Sequence, residues 1–144
     1  MKLLIDINVI LDVVEEREPF KEDSGELLTR LEQGNPGDGP HGFIAGHTIT
    51  TLYYLAARAK GRVVAAAAVA DLLRIVQVVP LDMIDFTQAL TLHAAGVKDF
   101  EDAVQVAAAL KVGADALVTR DGRHYRAIPD LAILTPAEAL RRLG

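Results

Sequence analysis

The feature that most constrains this chain is a set of short apolar runs, each ended abruptly by a polar or helix-breaking residue. Leu3-Leu4-Ile5 meets Asp6, Val76-Gln77-Val78-Val79 meets Pro80, and Ala116-Leu117-Val118 runs into Thr119-Arg120-Asp121. Runs this short read as strands, and the stretches between them carry helical periodicity and helix stops. Parallel neighbours need a crossover, usually a helix, so the alternation predicts an α/β fold with a mostly parallel sheet. The 144 residues are 51% hydrophobic, which suits one compact domain over 1–144 and argues against disorder.

Strands are expected at 2–6, 42–45, 76–79, 116–119 and 131–134. Helices are expected at 9–15, broken by Pro19, and at 20–33, with Phe20, Leu27, Leu28 and Leu31 toward the core. Thr48 is read as the N-cap of a helix over 49–59 that Gly61 ends. A helix over 63–75, almost pure Ala, Val and Leu, is expected to be buried on more than one side. Helices over 83–94 and 99–111 are followed by Gly96 and Gly113 as stops. Thr135-Pro136-Ala137-Glu138 joins an N-cap, a first-turn proline and a capping-box glutamate before a short last helix. Gly34-Asn35-Pro36-Gly37-Asp38-Gly39-Pro40 is a loop.

Four carboxylates fall at the ends of these elements. Asp6 closes the first strand, Asp99 and Asp102 open an Ala-rich helix, and Asp121 follows the fourth strand. Ligands of open α/β sheets bind beyond the carboxyl ends of the strands, so parallel strands would bring these acids to one edge. Carboxylates brought together repel unless a cation neutralises them, and hard oxygen ligands suit Mg²⁺ or Mn²⁺. That is the pattern of a metal-dependent phosphodiester-cleaving site. Each piece also has a plainer reading. Asp6 is a serviceable N-cap, Asp99 and Asp102 suit a helix's first turn, and Asp121-Gly122 suits a turn. Asp12, further along the first helix, is expected at the surface.

Other chemistry is excluded or weakened. Without cysteine there are no disulfides, thiol catalysis or Cys-based zinc sites, which fits a reducing, cytoplasmic setting. His41, His47, His93 and His124 lack a His-x-x-x-His spacing, and neither a P-loop nor a Gly-x-Ser-x-Gly motif occurs. His124 is read as a surface residue close to Asp121. No signal peptide is apparent, and the low-charge stretch 63–70 is too short to span a bilayer, so no membrane role is expected. A net charge of −5 counts against a simple nucleic-acid-binding module. Basic residues still group at Arg58, Lys60 and Arg62, and at Arg120, Arg123, His124 and Arg126, as solvated turns or as phosphate contacts.

Taken together, Leu4-Ile5-Asp6-Ile7-Asn8-Val9-Ile10-Leu11-Asp12, Lys98-Asp99-Phe100-Glu101-Asp102-Ala103 and Leu117-Val118-Thr119-Arg120-Asp121 resemble the PIN domain family of VapC-type toxin ribonucleases. The resemblance covers nearly the whole chain. It implies a three-layer α/β/α sandwich and hydrolysis of RNA with Mg²⁺ or Mn²⁺. It puts Asp6, Asp102 and Asp121 at metal-binding positions, Asp99 at that of a further catalytic acid, and Asn8 and Thr119 in support. It also implies a homodimer, through the helix around Tyr53, Tyr54 and Leu55 and the helix over 63–75, and an antitoxin partner. There is one departure. Many members carry an acid where Thr48-Ile49-Thr50-Thr51 places Thr51. Three readings follow: a metal-dependent endoribonuclease of a toxin–antitoxin pair; a non-catalytic PIN-like domain that binds RNA or a protein; and, last, another small α/β hydrolase such as a phosphatase.

Overall fold

A computed structural model describes residues 1–34, 37–125 and 128–144. Asn35 and Pro36 of the expected loop, and Arg126 of the second basic group, lie outside the described residues.

Five strands form one sheet: β1 (Lys2–Ile5), β2 (His41–Ala45), β3 (Val76–Val79), β4 (Ala116–Val118) and β5 (Ala132–Leu134). Their spatial order is β3-β2-β1-β4-β5, and every pairing is parallel. The helices are α1 (Ile7–Val14), α2 (Lys21–Gly34), α3 (Gly46–Lys60), α4 (Arg62–Ile75), α5 (Met83–Ala94), α6 (Phe100–Val112) and α7 (Pro136–Leu143). A short 3-10 turn covers Gly122–Tyr125.

The alternation of side chains along β1 explains the layers. Leu3 and Ile5 face one way, into a core with Val9, Leu27, Leu31, Leu52, Leu72 and Ala139 from α1, α2, α3, α4 and α7. Leu4 faces the other way, onto Val106, Ala108 and Ala109 of α6, with α5 packed outside it. The result is the expected three-layer sandwich. Gly42 lets α2 lie close to β2, because a Cβ there would come within 2.9 Å of both Leu31 and Val76. Gly113, at φ +64, ends α6 in the left-handed region that favours glycine.

Several local expectations need correction. Thr48 is not an N-cap: α3 starts directly from β2 at Gly46, and Thr48 is buried inside its first turn. Phe20 is exposed, not in the core, and carries the Arg120 guanidinium 4.1 Å above its ring. On α4 only Ala65 and Leu72 are buried, whereas Val63, Val64 and Leu73 face solvent. Asp12 is completely buried rather than on the surface. Thr135 and Glu138 do form the reciprocal capping box at the start of α7. Among the described residues no helix is long and apolar enough to cross a membrane.

The order of strands fixes where a site can form. The chain leaves β1 toward β2 and β3, then returns through α5 and α6 to β4 on the other side of β1. The sense of winding reverses between β1 and β4, and crevices open at such switch points beyond the strand ends.

Candidate active site

Asp6 sits in that crevice. It follows β1 directly, and its backbone N–H donates to the carbonyl of Val118 at the end of β4, 2.9 Å away. As N-cap of α1 its carboxylate accepts from Ile7 N at 2.7 Å. Three side chains complete its surroundings: the Thr119 hydroxyl at 2.8 Å, and the amides of Asn8 and Gln105, each at 3.3 Å. All four donors are neutral. Burial therefore dominates and raises the Asp6 pKa, the hydrogen bonds from Thr119 and Ile7 oppose it, and the charge of Asp102 raises it further.

Asn8 and Thr119 knit α1 to the segment after β4. The Asn8 amide donates to Thr119 Oγ1 at 3.2 Å, while its own oxygen accepts from Arg120 N at 3.3 Å. Thr119 Oγ1 also accepts from Asp121 N at 3.1 Å. One hydroxyl thus fixes the turn that carries Asp121 and supports Asp6.

Asp102 and Gln105 come from α6. They are three residues apart and share a face of that helix. With Asp6 they line a cleft of about 50 Å³ that is also bordered by His47, Thr51 and Glu101. Asp102 Oδ1 accepts from the Tyr125 hydroxyl at 2.9 Å, and Oδ2 lies 3.1 Å from His124 Nδ1. Burial, reinforced by the negative charges of Asp6, Asp102 and Asp99, pushes Tyr125 far above the usual phenol range, so it stays a hydrogen-bond donor. His124 Nε2 lies 3.4 Å from Asp121 Oδ2, so one ring spans two carboxylates. Arg123 straddles Asp121 at 3.0 and 3.3 Å and holds its carboxyl below the usual range.

Thr51 borders the same cleft, but its hydroxyl donates back to the His47 carbonyl at 3.3 Å. Asp99 does not join Asp6. Its carboxylate caps α6 by accepting from Asp102 N at 3.2 Å, and it lines a different opening. The four acids therefore do not form one closed cluster. Among the described residues no three acidic or histidine side chains are drawn together tightly enough to hold a metal ion.

The chemistry of the cleft nonetheless suits a hard cation. Its charged donors are carboxylates, and Asp6 is buried among neutral partners. Gln105 Oε1 is buried without a hydrogen-bond partner beside Asp6 and Asp102.

Four contributors escaped sequence reading: Gln105, Tyr125, Glu101 and His47. Gln105 was accessible in principle, because it shares the helical face of Asp102. Tyr125 and His47 reach the site through a short 3-10 turn and a strand-to-helix junction, which leave no periodic signal. Burial lowers the His47 pKa, partly offset by Glu101, so its imidazole is kept neutral.

Comparison with known proteins agrees with this architecture. The PIN domain family model matches residues 2–123. Among solved structures, VapBC2 from Rickettsia felis, bound to a DNA fragment from its promoter, aligns with TM-score 0.73 at 14% identity, covering 94% of this chain and 98% of that one. VapC20 from Mycobacterium tuberculosis, described as a toxin that cleaves the sarcin-ricin loop, aligns at 0.70 and 18%, covering 90% and 98%. A toxin–antitoxin complex from Klebsiella pneumoniae aligns at 0.68 and 18%, covering 93% and 97%. At these identities the likeness is one of fold. No curated protein matches the chain.

Proposed function

The chain belongs to the PIN domain family, and on that premise we propose that it is a divalent-metal-dependent endoribonuclease, the toxin of a toxin–antitoxin pair. The observation that carries this reading is the buried Asp6 facing Asp102 across a cleft at the switch point of the sheet. Asp6 and Asp102, which share the cleft, and Asp121 on the adjoining turn would hold Mg²⁺ or Mn²⁺ directly or through its waters. Asp99, a cap of α6 at the neighbouring opening, would serve the reaction by holding the N-terminus of α6, and with it Asp102, in place. A bound divalent ion supplies a polarised phosphoryl oxygen and an activated water. The chain's own residues do the rest. Thr119 and Asn8 orient Asp6, Tyr125 and His124 orient Asp102, and Arg123 offers a guanidinium beside Asp121.

The test is cleavage of labelled RNA with Mg²⁺ or Mn²⁺. The wild type is expected to cut, and Asp102→Asn, which keeps shape and loses charge, is expected to lose all cutting with an unchanged circular dichroism spectrum. Full activity in Asp102→Asn would move the chemistry elsewhere.

Partners belong to the same reading. The solved toxin–antitoxin complexes that share the fold support a cognate antitoxin for this chain. Exposed Tyr53 and Tyr54 on α3, with exposed Val63, Val64 and Leu73 on α4, provide an apolar surface for a homodimer in the cytoplasm. A monomer at micromolar concentration in sedimentation would overturn that assembly.

A specific feature favours the second reading, a non-catalytic PIN domain that binds RNA or a protein. Thr51 brings no charge to the cleft, and its hydroxyl is turned to the backbone. Under that reading the wild type cuts no RNA with either metal.

A further inference from the structure

Beside the acidic cleft lies a second, wider one of about 660 Å³, lined by Gly96, Lys98, Asp99, Arg123 and His124. Two of these five, Lys98 and Arg123, are cations against the one acid Asp99, on a chain whose net charge is −5. Its volume falls within the range of about 300–1,000 Å³ common for ligand pockets, yet among the described residues no large apolar side chain lines it. Such a surface suits a polyanion better than an apolar small molecule.

Its position gives the surface a direction. His124 belongs to the wide cleft, and its ring touches Asp102 and Asp121. Arg123 also belongs to it and straddles Asp121. The cations therefore begin where the proposed metal-binding carboxylates end. A strand of nucleic acid that places one phosphodiester at the acidic cleft and runs out on this side brings its neighbouring phosphates past Lys98 and Arg123.

We infer that the cleft formed by Lys98, Arg123 and His124 is the phosphate-binding track for the RNA segment next to the scissile bond. The inference rests on the ribonuclease reading and deepens it by naming the side from which substrate enters. Lys98 and Arg123 contact backbone phosphates, so the track is indifferent to base sequence. Asp99 stays occupied with capping α6 and does not block it.

The experiment measures binding apart from cleavage. A fluorescently labelled single-stranded RNA is titrated with the full chain carrying Asp6→Asn, which removes the proposed chemistry without touching Lys98 or Arg123, in Mg²⁺ buffer over a range of salt. On this background Lys98→Gln and Arg123→Gln are each expected to weaken binding roughly threefold to tenfold on every RNA sequence tried, and to reduce the slope of log K against log salt by about 0.7. Arg74→Gln, the same charge change just before β3 at the opposite edge of the sheet, is expected to leave the slope unchanged. Arg123 contacts Asp121, so Lys98→Gln is the cleaner arm. The inference is overturned if Lys98→Gln keeps the parent slope, if Arg74→Gln lowers it equally, or if the parent binds no RNA. Failure of the ribonuclease reading is separate: it would appear as a wild type that does not cut RNA with either metal.

Discussion

Asp6 and Asp12 are both buried, one capping α1 and the other within it, and they are treated in opposite ways. Asp12 is fully enclosed and paired with a cation: Arg120 Nε lies 2.9 Å from its Oδ2, which also accepts from Ser24 Oγ at 3.0 Å. Asp6 receives four hydrogen bonds from neutral groups, and the charge nearest in effect is another carboxylate, Asp102. A buried charge is costly unless it is paired. The chain provides a cation where the carboxylate fastens α1 and α2 to the segment after β4. It provides neutral donors where the carboxylate faces the cleft, which leaves room for a cation from solution.

The largest effect should come from breaking the Asp12–Arg120 ion pair. Arg120→Ala leaves Asp12 enclosed without its cation, and is expected to cost about 3 kcal/mol of stability in urea denaturation. Adding Asp12→Asn should recover part of that loss. A loss no larger than that of an exposed arginine would mean the pair contributes little.

Next in size is Asp6→Asn in metal-free protein, which should raise the melting temperature at neutral pH. The sign follows from the raised pKa. Folded Asp6 binds its proton more tightly than the unfolded chain does, so its contribution to stability is greatest at low pH and falls as pH rises through the folded-state pKa. Above that point the ionised group is a constant cost. Asp6→Asn should remove the corresponding part of the pH slope, and an unchanged slope would show that Asp6 is not destabilised by burial.

A smaller effect is expected at Thr51. Thr51→Glu adds a carboxylate to the cleft shared with Asp6 and Asp102, and should tighten Mn²⁺ binding several-fold in calorimetry. Unchanged affinity would mean that a side chain at 51 does not reach the ion.

The same contrast shows what could be read from sequence. The strands and their sharp polar ends were legible because burial on both faces demands continuous apolar runs, and Asp6 was legible because it interrupts one. Asp12 was not, since an acid on a helix reads as solvated until its partner is known, and Arg120 lies more than a hundred residues away. Phe20 misled for the same reason: its ring covers that arginine instead of filling the core. Thr48 offered a good capping side chain, but the chain enters α3 straight from β2 at Gly46, and tertiary packing buried it. The Ala and Val content of α4 suggested burial on several sides, yet composition cannot tell a buried helix from one whose apolar face is left to solvent or a partner. The acids were visible one by one. Their division between two clefts depends on how α6 is capped, which no spacing rule expresses.

The most direct test of the central claim is the response of thermal stability to Mn²⁺ in the wild type and in Asp6→Asn. Mn²⁺ is expected to raise the melting temperature of the wild type in a concentration-dependent manner, because an ion that binds only the folded chain stabilises it by mass action. Asp6→Asn is expected to start from a higher melting temperature and to gain little from the ion. Equal gains in both proteins, or none in the wild type, would contradict the assignment of Asp6 as the carboxylate that awaits a cation.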